Sequence, residues 1–310
     1  MTRSLLLLAV ALALAPSSAH AKWTWSSDTG FVDTSSYETG DPEVLYKNAD
    51  ALYQAQKFDD AATEFTRIAL YASDAHFREQ ALFMSGEAYF KAAKYYRAYL
   101  SYEEYANLYS RSERTQYVVQ QLAECGFKLM GGAKKEFLGL PILPGTTTGI
   151  DIVKKVIEKY PYEAGSDKFQ YMLIGHYLDD GDFEQASLEA DLFLTTYPNS
   201  QWTPTVQFQK ATAQLSTHAG VPYDGTPLAN AKKSFQDYLE KNPNGDKTEE
   251  AKARLAEIDE KQAQKDFDVA DYYRRTGHPD SAKLYFEMLI RRYPNSSWAG
   301  KAQGELERLK

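Results

Sequence analysis

Residues Asp266 to Trp298 read DFDVADYYRRTGHPDSAKLYFEMLIRRYPNSSW, which describes two antiparallel helices joined by a tight turn. Ala270 and Tyr273 mark the first helix, Gly277 ends it, and Pro279 stands where a first-turn proline opens the second. Ala282, Phe286 and Leu289 then fall at i, i+4 and i+7 on one face. Tyr293-Pro294 closes the pair, because the residue before a proline is pushed out of the αR region. The alanines carry the argument. A methyl at a helix crossing lets two backbones approach closely, and the aromatic one turn on fills the space beside it.

Other segments repeat this order. After the N-cap and first-turn proline Asp41-Pro42 come Ala49, Leu52, Phe58, Ala61, Phe65 and Ile68. Gly86, Tyr89, Tyr95, Ala98, Tyr102 and Tyr105 match them position for position. A third unit opens with Tyr117 to Met130, is interrupted at 131–149 by GGAKKEFLGLPILPGTTTG, and resumes as a helix from Ile150 to Tyr160. The prolines and glycines of that insertion prevent a continuous helix, yet Phe137, Leu138, Leu140, Ile142 and Leu143 are too apolar for a free loop. A regular fourth unit has Ile174, Tyr177, Phe183, Ala186, Ala190, Phe193 and Pro198. The fifth has Ala211, an insertion at 216–227, then Ala231, Phe235, Tyr238 and Pro243. Thr248 to Thr276 carries a helical stripe that predicts one long helix leading into the opening stretch, and Trp298 to Lys310 suits a closing helix.

This small-aromatic-small-large order ending in proline resembles the tetratricopeptide repeat, a helix-turn-helix unit of about 34 residues. The fold class expected is all-α: an αα superhelix, or solenoid, of about five helix pairs over 41–310, with two loop insertions and a C-terminal capping helix. Gly86, Ala98, Ala186, Ala231 and Ala282 should stand at its close helix contacts.

The flanking sequence and composition bound the function. Arg3, the apolar run Ser4 to Ala15 and Ala19-His20-Ala21 read as a cleavable export signal over 1–21, the run being too short to span a bilayer. Residues 22–40, with Trp23, Trp25 and Phe31 among Ser, Thr, Gly and Asp, show no helical or strand period and read as an extended arm. The formal net charge of −8 opposes nucleic acid and anionic lipid as partners and leaves other proteins. The single cysteine, Cys125, lies in a helical pattern and reads as a buried small hydrophobe. His76, His176, His218 and His278 are spread over separate units with no metal or triad spacing, and Gly145 to Gly149 lacks the lysine of a phosphate loop. Asp179 to Asp182 reads as an inter-helix turn rather than a calcium loop, and Asn295-Ser296-Ser297 as a turn and cap. No cofactor and no enzymatic activity are expected.

Tyr-Pro-Asn-Ser followed by an aromatic at Tyr197 to Trp202 and again at Tyr293 to Trp298, the export signal, and Val269-Ala270-x-Tyr272-Tyr273-x-x-x-Gly277 together resemble the BamD family. These are periplasmic lipoproteins of the machinery that inserts β-barrels into the outer membrane. The resemblance covers roughly Asp41 to Pro294 and implies a scaffold in the periplasm, at the inner face of the outer membrane, with the barrel-assembly machinery and nascent outer-membrane proteins as partners. It also implies a partner contact around Tyr273, Arg274, Arg275 and Tyr285. The chain departs from the family at two places: Lys22 follows Ala21 where members carry a lipidated cysteine, and Tyr285 stands near a position that is often arginine. Tol-associated envelope proteins share similar repeats, but they carry an N-terminal coiled coil for which 22–40 is too short. In such a fold the first helix of each pair lines the inner surface. Repeat spacing therefore gives a client groove of Tyr46, Asp50, Tyr53 and Gln54 from one unit, with Phe83, Glu87, Phe90 and Lys91 from the next.

Overall fold

A computed structural model describes residues 23–26, 30–137, 140–163, 165–217 and 226–309. The export signal and most of the second insertion lie outside the described residues. The chain divides into two compact units, Met1–Gly149 and Ile150–Lys310.

In the first unit a hairpin of β1 (Trp23–Ser26) and β2 (Gly30–Asp33) leads to a short helix α1 (Ser35–Thr39). Two helix pairs follow, α2 (Pro42–Gln54) with α3 (Phe58–Tyr71) and α4 (Ala75–Lys91) with α5 (Tyr95–Leu108), and then α6 (Thr115–Met130). The hairpin β3 (Lys134–Phe137) and β4 (Leu140–Pro144) joins α6 to α7 (Thr146–Lys159). In the second unit α8 (Ser166–Asp179) pairs with α9 (Phe183–Thr196), α10 (Thr203–Thr217) with α11 (Thr226–Lys241), and α12 (Thr248–Arg275) with α13 (Pro279–Arg292). Helix α14 (Ser297–Arg308) closes against the last pair, burying Ala299 and Ala302 with Phe286 and Leu289. The all-α fold of tetratricopeptide-type helix pairs is as the sequence indicates.

In four of the helix pairs the connecting turn has one geometry. Gln56, Ala93, Gly181 and Gly277 all adopt positive φ, between 59° and 79°. The next amide then reaches back five residues: Lys57 N–H to Leu52 O at 3.0 Å, Lys94 to Tyr89 at 2.9 Å, Asp182 to Tyr177 at 2.9 Å and His278 to Tyr273 at 3.0 Å. These bonds satisfy carbonyls that a helix end otherwise leaves open. Asp182 also caps α9 by accepting from the Gln185 amide at 3.2 Å, so Asp179 to Asp182 is a turn. Caps start other helices: Asp41 accepts from Glu43 N–H, Asp74 from His76 and Phe77, and Ser296 from Ala299.

Packing within a pair turns on one crossing. Ala49 and Phe65 occupy it in the first pair, Gly86 and Tyr102 in the second, Ala211 and Phe235 in α10–α11, and Ala270 and Phe286 in the last, all of them buried. In α8–α9 the sizes are exchanged, with Ile174 on the first helix and Ala190 on the second. One side must be small for the other to fit. At Gly86 the fit is closest, since a Cβ there would lie 2.7 Å from two ring carbons of Tyr102. Ala98, Ala186, Ala231 and Ala282 are fully buried, as expected of close-contact positions, and so is Cys125, where burial pushes the thiol up from its ordinary range.

Two sequence readings change. Residues 22–40 are not simply an extended arm. After the hairpin, the buried Tyr37 of α1 donates its hydroxyl to Glu64 of α3 at 2.6 Å, and burial with that carboxylate pushes the phenol up to about 12. Short strands in a Ser/Thr-rich stretch give no periodic apolar signal, which is why the pattern missed them. The insertion 131–149 is a bulged hairpin rather than a loop, and α7 begins at Thr146, earlier than Ile150; the missing Cβ of Gly149 lets its first turn pass close to Gly126 O and Met130 N.

Candidate functional site

The eight groove residues proposed from the sequence come from α2 and α4, and the structure divides them into two kinds. Tyr46 lies between Phe65 of α3, at 5.4 Å between ring centroids, and Phe77 of α4, at 5.8 Å. Phe83 repeats this one unit on, 5.8 Å from both Tyr105 of α5 and Tyr117 of α6. These two rings wedge successive helices apart and belong largely to the packing. Tyr53 and Phe90 are different. Each meets the first ring of its partner helix edge-on, Phe58 at 5.3 Å and Tyr95 at 5.2 Å, and each is only half-buried. Gln54 and Lys91 are exposed, and the Gln54 amide donates to Asp50 at 3.3 Å.

Glu87 links three helices. Its Oε1 accepts from the Tyr102 hydroxyl of α5 at 2.5 Å and from the Tyr117 hydroxyl of α6 at 2.9 Å. Burial first, and then Glu87, raises both phenols above their ordinary range, and Tyr53 is raised by burial with Glu87 and Asp50 behind it. All three therefore stay neutral hydroxyls at physiological pH. The Arg114 guanidinium lies 4.7 Å over the Phe83 ring, adding a cation beside the carboxylates. Sequence reading missed Tyr117, which is 41% exposed, and Arg114. The interrupted third repeat hid their register. The face offers half-exposed ring surfaces and hydroxyls among charges of both signs, a chemistry suited to holding polypeptide.

The second candidate set lies on α12 and α13. Tyr273 and Tyr285 stack face to face at 5.1 Å with an interplanar angle of 8°. Arg274 and Arg275 share Asp271, at 2.6 and 2.9 Å, and Arg274 reaches Glu305 at 3.6 Å. Arg275 is well exposed and held weakly by its one ion pair, so its guanidinium stays available, whereas Arg274 is tied by two contacts to Asp271 and one to Glu305. Around them Tyr272 and Leu284 are more than half exposed, a patch the sequence reading did not include.

Residues 146–283 match the family described as YfiO, outer membrane lipoprotein. Over these residues, less than half of the chain, the sequence resembles that family. It is similar to the outer membrane protein assembly factor BamD of Caulobacter vibrioides, 21% identical over 154 residues, and spans about half the length of that relative, with about half of this chain matched. Among solved structures it is similar to the MamA protein, with 15% identity, 67% of this chain and 94% of that chain covered, and a TM-score of 0.36. It is also similar to the C-terminal part of a tetratricopeptide repeat-containing protein from Cytophaga hutchinsonii, with 15% identity, 86% and 90% covered, and a TM-score of 0.39. The BamD-like match contains Tyr273, Arg274 and Arg275. The face built by α2 and α4 lies outside it. Among the described residues no helix is long and apolar enough to cross a membrane.

Proposed function

We propose that this protein is a non-enzymatic scaffold of the periplasm that takes part in assembling β-barrel proteins into the outer membrane. The observation that carries this reading is the match of residues 146–283 to the outer membrane lipoprotein family, which the weak similarity to a β-barrel assembly factor supports. Within that role, the inner face of the first two pairs holds an extended client segment. Tyr53 and Phe90 are its contact rings, with Asp50, Gln54, Glu87 and Lys91 meeting client backbone and charge. Tyr46 and Phe83 set the spacing of the face rather than bind.

In the second unit, Tyr273, Arg274, Arg275 and Tyr285, with the neighbouring exposed Tyr272, form the contact to a barrel-assembly partner. Affinity purification from envelopes under mild detergent tests the role. A β-barrel assembly component should copurify and be lost when Arg274 and Arg275 are both replaced by Glu. Recovery of a Tol-system protein in its place would contradict the reading.

A further inference from the structure

The first unit carries a groove of about 150 Å³ that shares no residue with either candidate set. Helix α4 forms its floor with the buried Leu82, Ser85 and Tyr89, and α3 and α5 form its two sides. Three lining leucines stand exposed on those sides: Leu70 of α3 at 48%, and Leu100 and Leu108 of α5 at 41% and 62%. A single leucine on a surface needs no explanation, but three around one cavity make an apolar patch. The cavity between them has the volume that accepts one apolar side chain.

The charges point the same way. The half-exposed Arg78 lines the groove, and among the described residues its guanidinium makes no ion pair or hydrogen bond. The Arg97 guanidinium lies 5.7 Å from the centre of the Tyr89 ring. Against these two cations the lining holds one acid, Glu104, so the groove is cationic in a chain whose formal net charge is −8. Its complement is therefore apolar and acidic.

The walls decide the form of that complement. They are helices whose backbone groups are bonded internally along most of the groove, so an extended segment finds no strand edge to pair with. A helix arrives with its own backbone bonds made and needs only side-chain contacts. We propose that the groove binds an amphipathic helix of a partner protein, with aliphatic side chains among Leu70, Leu100 and Leu108 and a carboxylate on Arg78. From Leu100 to Leu108 the wall runs about 12 Å, two turns of such a helix, so the anchors fall at i, i+3, i+4 and i+7. The site does not depend on the client face of Tyr53 and Phe90.

The test is a titration of the full chain, methyl-labelled for NMR, with the helical peptide acetyl-AEAALEALLAELAAEA-amide. Saturable shifts should appear at the methyls of Leu70, Leu100 and Leu108. Arg78→Gln should weaken binding about fivefold, the upper end for a partly exposed ion pair. Leu100→Ala combined with Leu108→Ala should weaken it about tenfold or more, and, both side chains being exposed, at a nearly unchanged melting temperature. The proposal fails if no saturation is reached by about one millimolar, or if Arg78→Gln binds like the wild type. It also fails if the peptide with lysine for every glutamate, or with a central proline, binds with equal affinity. Sedimentation equilibrium showing a dimer that Leu108→Glu dissociates would give the groove to a second copy of the chain and overturn the proposal too.

Discussion

Replacing Gly86 with Ala is the sharpest probe of the helix crossing. A methyl there would sit 2.7 Å from the Tyr102 Cδ1 and Cε1 atoms, against an ordinary contact of 3.4 to 4 Å, so the ring or the helix must move by most of an ångström. Tyr102 is fully buried and its hydroxyl is tied to Glu87, which leaves it little room. Overpacking costs about 1 to 3 kcal/mol. Stretching a hydrogen bond to a carboxylate puts a further ~1.5 to 3 kcal/mol at risk. The helix propensity of Ala over Gly offsets about 1 kcal/mol. The net expectation is a loss of about 1.5 to 5 kcal/mol, contact outweighing propensity. Adding Tyr102→Phe should recover part of it, because the pair then matches Ala211 and Phe235, and the cycle should show coupling of about 1 kcal/mol or more. Urea midpoints, with hydrogen exchange of the α4 and α5 amides to localise the loss, provide the assay. A Gly86→Ala variant as stable as the wild type, or a double variant showing simple additivity, would refute the packing argument.

Two other outcomes follow from local geometry. Ala93 holds φ of +59° in a turn where Gly181 and Gly277 do the same, so Ala93→Gly should raise stability by about 0.5 to 1 kcal/mol, read as a higher urea midpoint, despite the added freedom of the unfolded chain; a lower midpoint would count against the shared turn. The Tyr37 phenol is raised from 10 to about 12 in the folded protein. Its contribution to docking α1 on α3 is therefore complete below pH 10 and lost as pH rises through 12. Protease sensitivity of residues 22–40 should increase over that window, and Tyr37→Phe should abolish the pH dependence.

The repeat was legible because its signal is positional. A small residue facing a large one recurs at the same spacing in every described pair, even where the sizes are exchanged as Ile174 opposite Ala190, and a proline closes the later pairs at Pro198, Pro243 and Pro294. What could not be read was anything set by contact across pairs. Spacing gave Tyr46 and Tyr53 the same standing, yet the Tyr46 ring packs on Phe77 of the next pair while the Tyr53 ring packs on Phe58 of its own. Glu87 looked like one polar neighbour among several, since nothing in the linear sequence shows two phenols converging on it from α5 and α6. Tyr37 was hidden for the same reason, its partner Glu64 lying 27 residues on, beyond α2.

The proposed client face of the first two pairs stands or falls with Tyr53 and Phe90. Binding of a peptide copied from the terminal strand of an outer-membrane β-barrel protein, followed by fluorescence anisotropy, tests it most directly. Tyr53→Ala combined with Phe90→Ala should weaken that binding tenfold or more, about 1.4 kcal/mol, at a nearly unchanged melting temperature. Equal affinity in the double variant, or a loss of several kcal/mol of stability ahead of any change in binding, would return these rings to the core and contradict the account.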